Sequence, residues 1–484
     1  MNIKNKSLLR KESYINGEWI SAKNNKTFAV VNPFDQNNLA NVADLDRAAI
    51  SKAIDCAENA LPEWKAKSAT ERSIILKKWY QLQIDNLDDL STILTLEQGK
   101  PIAEAKGEIA YGASYVEWFA EEAKRAYGDV IPGHQADKRI IVLKQPIGVV
   151  TTITPWNFPN AMIARKVAPA LAAGCTVVIK PSEITPLSAL ALAELSEQAG
   201  IPPGVLNVVT SNDAVMVGDE FTSNPKVKKI SFTGSTRVGK LLMEKSAGTL
   251  KKLSLELGGN APFIVLNDAD LEEAVNGAIT AKYRNAGQTC VCANRIFVQE
   301  EVYDEFVEKF TAEVKKLNAG NGLDSNNQIG PLINEAAVKK VASMVKDAKE
   351  KGAKLTTGGG HGNQGKNFFD TTVITNIDAS MLVMKDEIFG PVAPIVKFKT
   401  DDEVVAMANN TEYGLASYFY GNDLKRVWRI AEALEYGMVG INTGLISTPV
   451  APFGGIKESG MGREGSMYGL EDYLEIKYLC FGGI

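Results

Sequence analysis

The sequence predicts an α/β protein in which one chain forms two units, each a mostly parallel β-sheet covered by helices. From about residue 140 onward, short runs rich in β-branched residues alternate with segments of helical periodicity, which is typical of parallel sheets. With 484 residues, the chain is also too long for a single hydrophobic core. Hydrophobic residues make up 45% and charged residues 23%, which is the balance of an ordinary soluble globular protein.

The elements of the first unit follow in a clear order. Residues 44–128 show helical periodicity, and residues 138–156 then carry enough β-branched side chains for two strands. The pattern next predicts a buried strand in CTVVIKPS (175–182), a helix in LSALALAELSEQAG (187–200), a strand in LNVVT (206–210), and a strand, glycine-rich turn and helix in residues 227–248. Gly200, with two prolines soon after it, marks the end of the predicted helix.

A second alternating run begins at LELGGNAPFIVLND (255–268) and continues to about residue 442, and we interpret it as the second unit. The last stretch, LEDYLEIKYLCFGGI (470–484), is strand-like and too apolar to be left in water. We expect it to add to the sheet of another chain or to pack at an interface. The alternative is that it folds back onto its own chain.

Composition and charge exclude several classes of protein. The net charge of −5 argues against a nucleic-acid partner, because that binding depends on Lys and Arg. The N-terminus lacks the apolar core of a secretory signal, and the longest apolar run (167–179) is shorter than the roughly 20 residues that span a bilayer. Five cysteines suit a reducing cytoplasm, and two histidines are too few for most histidine or zinc chemistry. We therefore expect a cytoplasmic protein without metal, membrane or nucleic-acid partners.

Six short motifs carry the strongest functional signal. In chain order they are TPWNFP (154–159), KPSE (180–183), FTGST (232–236), LELGG (255–259), NAGQTC (285–290) and EIFGP (387–391). Together they resemble the aldehyde dehydrogenase family, and the resemblance extends to GREG (462–465). It implies a homodimer or homotetramer whose subunit has a Rossmann-like NAD(P)-binding domain (1–130 and 151–257), an α/β catalytic domain (258–445) and a small β oligomerisation extension (131–150 and 466–484).

The chemistry of this family requires a nucleophile, an oxyanion site and a base. A cysteine of lowered pKa provides a thiolate that attacks the aldehyde, and water must later hydrolyse the resulting thioester. The resemblance implies that Cys290 is the nucleophile, that the Asn157 side chain and the Cys290 backbone N–H hold the oxyanion, and that Glu256 activates water. The alternatives are a passive buried cysteine and a structural ion pair at Glu256.

The resemblance also implies that NAD or NADP is bound by residues from several of the motifs. These residues are Ile153, Pro155, Trp156, Lys180, Ser182, Glu183, Gly234, Ser235, Leu257, Glu387 and Phe389. The FTGST turn opens a predicted helix whose N-terminus suits a phosphate group. Glu183 can accept hydrogen bonds from ribose hydroxyls but would repel a 2′-phosphate, so NAD is the favoured cofactor. NADP stays open because Lys180 and Ser182 can accommodate a phosphate.

Within the family, the subgroup that oxidises succinate semialdehyde is the most similar. The resemblance rests on AMIARK (161–166), YRNAGQTCVCANR (283–295), GLIS (444–447), APFGGIKESGMGREGS (451–466) and EDYLEIKY (471–478). It implies that Arg165, Arg284 and Ser447 bind the distal carboxylate of the substrate, for which the planar donors of arginine are well suited. A surface or interdomain salt bridge is the alternative for each arginine. Glutarate semialdehyde is the alternative substrate.

Two further hypotheses concern the neighbourhood of the nucleophile. Cys292 follows Cys290 after one residue, and such a neighbour can form a reversible disulfide that silences the enzyme. The alternative is a passive small residue. An acylating dehydrogenase, which transfers the acyl group to coenzyme A, is a competing function, but it needs no water-activating base, so Glu256 argues against it.

Overall fold

The computed structural model describes residues 3–484. Its strands are β1 (Ser13–Ile15), β2 (Glu18–Ile20), β3 (Thr27–Val31), β4 (Asn38–Ala43), β5 (Asp129–Ile131), β6 (Lys138–Pro146), β7 (Val149–Ile153), β8 (Thr176–Lys180), β9 (Leu206–Val208), β10 (Val227–Thr233), β11 (Lys252–Glu256), β12 (Ala261–Val265), β13 (Ala293–Gln299), β14 (Lys354–Thr357), β15 (Thr372–Thr375), β16 (Val392–Phe398), β17 (Ala416–Tyr420), β18 (Met438–Ile441), β19 (Gly460–Met461) and β20 (Leu474–Gly482).

The α-helices lie between and around these strands. They are α1 (Arg47–Ala66), α2 (Ala69–Asp85), α3 (Leu87–Gln98), α4 (Ile102–Glu122), α5 (Ala161–Ala173), α6 (Leu187–Ala199), α7 (Ala214–Ser223), α8 (Thr236–Ser246), α9 (Leu271–Tyr283), α10 (Tyr303–Val314), α11 (Glu335–Glu350), α12 (Leu382–Lys385), α13 (Asp401–Asn409), α14 (Leu424–Ala433) and α15 (Ser466–Glu471). Within residues 3–484, none of the helices combines the length and the apolar composition that crossing a membrane would require.

The first large sheet has the strand order β19-β11-β10-β7-β8-β9-β1-β2. Its five central strands, β11 to β9 in that order, run parallel, and antiparallel strands flank them on both sides. The parallel strands are rich in β-branched residues and almost entirely buried, as expected where helices cover both faces of a sheet. The predicted order of strands and helices in this unit is confirmed, including the end of α6 at Gly200, which adopts φ 89°.

The second large sheet has the strand order β14-β15-β16-β13-β12-β17-β18. All its pairs are parallel except β14 with β15. Helices α9 and α10 pack against β13, and one buried hydrophobic cluster joins them to the sheet. The predicted α/β class, with two helix-covered sheets, is therefore confirmed. The parallel arrangement also gathers strand ends and their loops at one edge of each sheet, where ligands bind in such folds.

The C-terminal tail forms a third, three-stranded antiparallel sheet in the order β20-β6-β5. Strand β20 pairs along its whole length with β6, from Leu474 opposite Pro146 to Gly482 opposite Lys138. The tail therefore folds back onto its own chain, which was the alternative in the sequence analysis. Many apolar side chains of this sheet stay exposed, for example Val130 at 83% and Ile476 at 73%, so the expected interface remains a prediction.

Two boundaries of the predicted oligomerisation extension, residues 131–150 and 466–484, do not coincide with the observed strands. Residues 149–150 belong to β7 of the first sheet, because their β-branched side chains are buried beside β8 and β10. Residues 466–471 form helix α15, which packs on α4 and α5 and does not pair as a strand of the small sheet. The division into functional domains stays a prediction.

Candidate active site

A cavity of about 610 Å³ lies among the loops that follow β7 and β10 and the segment that precedes β13. Twelve of the residues predicted for the site line it: Pro155, Trp156, Asn157, Arg165, Gly234, Ser235, Leu257, Arg284, Cys290, Glu387, Phe389 and Ser447. The structure therefore brings together, in one cavity, residues that the sequence assigns to catalysis, cofactor and substrate. The predicted residues Ile153, Lys180, Ser182, Glu183, Glu256 and Cys292 do not line it.

Cys290 lies in a tightly turned segment between α9 and β13. Three successive residues before it, Asn285, Ala286 and Gly287, have φ values of 52°, 54° and 76°, in the left-handed region. Gly259 contacts this segment so closely that a Cβ atom there would lie 2.3 Å from the Cys290 carbonyl oxygen. Only glycine fits at this position, which explains why the LELGG motif ends as it does.

The environment of Cys290 does not lower the pKa of its thiol. Burial raises that pKa to about 12, and the carboxyl groups of Glu387 and Glu256 act in the same direction. Arg165 and Arg284 oppose the shift but do not outweigh it. The expectation of a lowered pKa is wrong for this structure, because the sulfur is desolvated without a cation in contact. With a pKa of about 12, the Cys290 sulfur is a neutral thiol at neutral pH, and its predicted role as a nucleophile requires a proton acceptor.

Asn157 is buried and lies beside the nucleophile in the cavity. Its Nδ2 donates a hydrogen bond to the Gln288 carbonyl oxygen over 3.0 Å, which leaves the second N–H of the amide for a ligand. Within residues 3–484, the backbone N–H of Cys290 has no hydrogen-bond acceptor. These two donors have the chemistry that an oxyanion site requires.

A buried polar network that the sequence analysis missed holds Asn157 in place. Its backbone oxygen accepts hydrogen bonds from Lys100 Nζ over 2.7 Å and from Asn285 Nδ2 over 3.0 Å. Lys100 also pairs with Glu108 over 2.5 Å, and both side chains are at most 1% exposed. The second carboxylate oxygen of Glu108 accepts the backbone N–H groups of Asn160 and Ala161 at the start of α5. Helix α4 and the turn that precedes it thus position the predicted oxyanion donor, although no motif marks these charged residues.

Glu256 is the last residue of β11, opposite Gly460 of β19. Its side chain is buried, and among residues 3–484 its Oε2 has no hydrogen-bond partner. Burial, reinforced by the nearby Glu464, raises the pKa of Glu256 well above its usual range. The carboxyl group of Glu256 therefore gives up its proton less readily than an exposed glutamate does, and only its ionised form can act as a base.

Glu464 was not predicted as a functional residue, although it lies in the GREG motif. Its two carboxylate oxygens pair with Arg165 Nη2 and Lys166 Nζ, each over 2.5 Å, and all three side chains are buried. Although burial acts to raise the pKa of Glu464, the two cations hold it below its usual value. The two cations lie in AMIARK and Glu464 lies in GREG, two motifs that carry the resemblance. Lys166 and Glu464 are 298 positions apart in the sequence, so no local pattern shows that they pair.

The predicted cofactor residues form a mixed apolar and polar wall. Trp156 and Phe389 meet edge to face with their ring centroids 5.6 Å apart. Glu387 Oε1 accepts the Gly259 backbone N–H over 3.0 Å, and burial raises the pKa of Glu387 to about 7. The Thr233 hydroxyl, also at this wall, is buried without a hydrogen-bond partner among residues 3–484. Aromatic faces, a buried carboxyl group and an unpartnered hydroxyl have the chemistry that a dinucleotide requires.

The predicted adenosine end of the cofactor site lies at the end of β8. Lys180 Nζ and Glu183 Oε2 form an ion pair over 2.6 Å, in which Lys180 is buried and Glu183 is half-buried. Ser182 is buried and its hydroxyl accepts the Ile184 backbone N–H. The predicted Lys180–Glu183 pair is therefore formed, and Glu183, the more exposed of the two residues, is accessible to a ligand.

The predicted carboxylate-binding residues Arg165, Arg284 and Ser447 line the same cavity as Cys290. The guanidinium carbon of Arg165 lies 3.8 Å from the centre of the Phe453 ring, and that of Arg284 lies 5.4 Å from the Phe158 ring. Aromatic rings thus hold both guanidinium groups. The two arginines differ, however, because Arg165 already contacts the carboxylate of Glu464.

The chain belongs to the aldehyde dehydrogenase family, whose sequence model matches residues 19–479. It is 60% identical over 484 residues to the glutarate-semialdehyde dehydrogenase of Pseudomonas aeruginosa, a match that covers 100% of each chain. It is 59% identical over 482 residues to the succinate-semialdehyde dehydrogenase (NADP(+)) of Escherichia coli, with 100% of each chain covered. A solved succinate-semialdehyde dehydrogenase from Burkholderia pseudomallei, 59% identical, superposes with a TM-score of 0.99 over 100% of both chains. The predicted family is confirmed.

Proposed function

We propose that the protein oxidises a short aldehyde with a distal carboxylate, succinate semialdehyde first, to the carboxylic acid. One observation carries the proposal: two arginines and a serine line the cavity that holds Cys290. Arginine binds carboxylates with planar, paired donors, and Arg165 is buried where it lines the cavity. The names of the E. coli and B. pseudomallei relatives support the same substrate.

In the first half of the proposed reaction, the aldehyde is converted to a thioester on Cys290. The Cys290 sulfur bonds to the aldehyde carbon while its proton passes to a neighbouring base, and the carbonyl oxygen takes the electron pair. Asn157 and the Cys290 backbone N–H donate to that oxygen. Glu387 and Phe389, which line the cavity, would hold a nicotinamide cofactor, and that group would supply the acceptor for the hydride of the aldehyde carbon. The acyl group then stays on Cys290 as a thioester.

Glu256 serves the second half of the reaction, the hydrolysis of the thioester. Its carboxyl group lies outside the cavity lining, although its charge acts on the Cys290 thiol, so the role proposed for it requires the side chain to rotate toward the thioester. Ionised Glu256 takes a proton from the attacking water, and the Cys290 thiol leaves with a proton. Because burial favours the protonated form of Glu256, we expect hydrolysis to accelerate as the pH rises.

Glutarate semialdehyde, one methylene longer, is the second candidate substrate. The 60% identity to the P. aeruginosa relative named for that aldehyde favours it specifically. One extra methylene changes binding by only about 1–3 kcal/mol, so two close relatives can differ in preference. Measuring kcat/KM for both semialdehydes and for butanal tests the proposal. We expect both charged aldehydes to exceed butanal by tenfold or more, and equal values for all three would refute the role of the clamp.

For the cofactor, we propose NAD with NADP as the alternative. Glu183 supports NAD, because a carboxylate there repels a 2′-phosphate. The E. coli relative is named for NADP(+), which weighs against this choice, and the Lys180–Glu183 ion pair partly neutralises the carboxylate. Initial rates with each cofactor at subsaturating concentration decide between them.

We also propose that the protein is a cytoplasmic homodimer or homotetramer. The three-stranded sheet supports the assembly, since it leaves Val130, Ile476 and Tyr478 more than half exposed. The thiol chemistry of Cys290 supports a reducing compartment. Light scattering of the purified protein measures the subunit number, and a monomer at micromolar concentration would contradict the assembly.

A further inference from the structure

A second, much smaller cavity adjoins the one that holds Cys290. It lies between α9, the segment before β13, strand β17 and the loop after β18. Its volume is about 10 Å³, which is room for one water-sized oxygen atom. Arg284, Thr289 and Ser447 line both cavities, and the polar side chains of Thr280 and Tyr418 complete the wall of the small one. We call this small cavity the donor pocket.

The polar groups around the donor pocket are hydrogen-bond donors. The Arg284 guanidinium and the Ser447 hydroxyl form no hydrogen bond with the described residues 3–484. The Thr289 hydroxyl is buried and also lacks a partner in that part of the chain. The hydroxyls of Thr280 and Tyr418, in contrast, already donate to backbone oxygens. Among residues 3–484 no carboxylate side chain lines the pocket, so it suits an anionic oxygen.

We propose that the enzyme also oxidises aldehydes whose distal group is a sulfonate, and that the third sulfonate oxygen occupies the donor pocket, where the Thr289 hydroxyl donates to it. The inference rests on the proposed function, because it assumes that Arg165, Arg284 and Ser447 bind the acid end of the aldehyde. The oxidation itself is unchanged. The aldehyde carbon gives a hydride to the nicotinamide cofactor and gains an oxygen from water, and two protons are released.

A carboxylate and a sulfonate differ in shape and in their number of oxygens. The carboxylate is planar, and its two oxygens can be bound by the donors of the larger cavity, Arg165, Arg284 and Ser447. The sulfonate is tetrahedral, so two of its oxygens can take the same places while the third points out of their plane. Because Arg284 and Ser447 line both cavities, a group that they hold lies next to the donor pocket.

Thr289 is the residue that distinguishes the two groups. It is 4% exposed, and a buried hydroxyl without a partner costs free energy, so an oxygen that accepts its proton is stabilised there. A bound carboxylate leaves this hydroxyl to a water molecule. A sulfonate oxygen displaces that water and accepts a charge-assisted hydrogen bond in its place.

The charges around the site favour an acid with a single negative charge. Arg165 is already paired with Glu464, whereas Arg284 has no ionic partner within residues 3–484. The carboxyl groups of Glu104 and Glu108 line the larger cavity and oppose additional negative charge. A sulfonate carries one charge, as a carboxylate does, whereas a phosphonate carries more than one at neutral pH. The site therefore fits a sulfonate better than a phosphonate.

The test compares 3-sulfopropanal with succinate semialdehyde and butanal. The three aldehydes share the same carbon chain up to the distal group, which is a sulfonate, a carboxylate or a methyl group. Cofactor reduction measures kcat/KM for each aldehyde with the wild type, Thr289→Val and Thr289→Ser. Valine keeps the shape of threonine and removes the hydroxyl, whereas serine keeps the hydroxyl and is the matched control.

We expect the wild type to oxidise 3-sulfopropanal with a kcat/KM at least about tenfold above that for butanal. Thr289→Val should lower the ratio of kcat/KM for 3-sulfopropanal over succinate semialdehyde by about tenfold, mainly through KM, because the sulfonate is bound alike in the ground and transition states. Thr289→Ser should keep that ratio near the wild-type value. A merely structural role of Thr289 would affect both charged aldehydes alike, and an unchanged ratio in Thr289→Val would overturn the inference.

The wild-type comparison keeps the inference testable if Thr289→Val does not fold. A kcat/KM for 3-sulfopropanal that is no higher than that for butanal would overturn it without any variant. Arg284→Met separates the inference from the proposed function. If succinate semialdehyde exceeds butanal in the wild type, loses that advantage in Arg284→Met, and 3-sulfopropanal is not oxidised, only the inference fails. If neither charged aldehyde exceeds butanal, the proposed function and the inference are both wrong.

Discussion

Alkylation of Cys290 with iodoacetamide tests the electrostatics of the site in the cofactor-free protein. Only the thiolate reacts, and burial raises the pKa of this thiol to about 12. At pH 8 the thiolate fraction is then on the order of 10⁻⁴, compared with about a quarter for an ordinary cysteine of pKa about 8.5. We therefore expect Cys290 to react about a thousand times more slowly than a free thiol, apart from steric effects.

The shape of the pH profile removes the steric contribution. We expect the rate constant to rise about tenfold per pH unit from pH 7 to pH 10 without a plateau, because the pKa lies above that range. Mass spectrometry of the peptide that contains Cys290 measures the rate, with N-acetylcysteine as the reference thiol. A plateau below pH 9 would refute the reasoning, since it would show that the protein stabilises the thiolate in the absence of cofactor.

Three further predictions concern the catalytic pair, the cofactor and the neighbouring cysteine. Cys290→Ala should abolish turnover, and normal turnover by this variant would show that Cys290 is not the nucleophile. Glu256→Gln should slow thioester hydrolysis by about 10²-fold or more. The acyl-enzyme should then accumulate, which intact-protein mass spectrometry measures. Glu183→Ser should narrow the ratio of kcat/KM for NAD over NADP, because it removes the charge that repels a 2′-phosphate, and an unchanged ratio would show that this carboxylate does not select the cofactor. Peroxide at alkaline pH, where more of Cys290 is thiolate, should inactivate the enzyme reversibly through a Cys290–Cys292 disulfide. If Cys292→Ala gives the same recovery with dithiothreitol, the disulfide hypothesis fails.

The sequence was sufficient for the fold class and for twelve residues that the structure gathers around one cavity. Strands such as β8 and β10 are short, contain β-branched residues and are largely buried, so a local sequence pattern is enough to predict them. The twelve predicted residues that line the cavity all belong to compact motifs or to segments next to them. Resemblance could therefore locate them without knowledge of the packing.

The charged partners of these residues could not be predicted in the same way. Lys166 and Glu464 are 298 positions apart, and Lys100 and Asn157 are 57 positions apart. Their contacts exist only because α5 packs against α4 and α15. The sequence also suggested a lowered pKa for Cys290, because a nucleophilic thiol is commonly activated by its surroundings. The structure reverses that expectation through desolvation, a property of packing.

The C-terminal tail, residues 470–484, shows that a sequence pattern can identify a strand without identifying the strand that it pairs with. Its apolar, strand-like pattern predicted a strand correctly, but pattern alone does not name the partner. Strand β20 pairs with β6 of the same chain, and its outward apolar side chains remain exposed. The pairing and the proposed assembly use different surfaces of the same strand, so one does not exclude the other.

The central claim is that this aldehyde dehydrogenase recognises a carboxylate, and Arg284→Met tests it most directly. A charge-assisted hydrogen bond contributes roughly 1.5–3 kcal/mol, and each 1.36 kcal/mol corresponds to about tenfold in rate. The measurement is the ratio of kcat/KM for succinate semialdehyde to that for butanal, before and after the substitution. We predict that the ratio falls about tenfold or more, mainly through KM, because the carboxylate is bound alike in the ground and transition states. An unchanged ratio would contradict the claim, since Arg284 would then not contact the charge that distinguishes the two aldehydes.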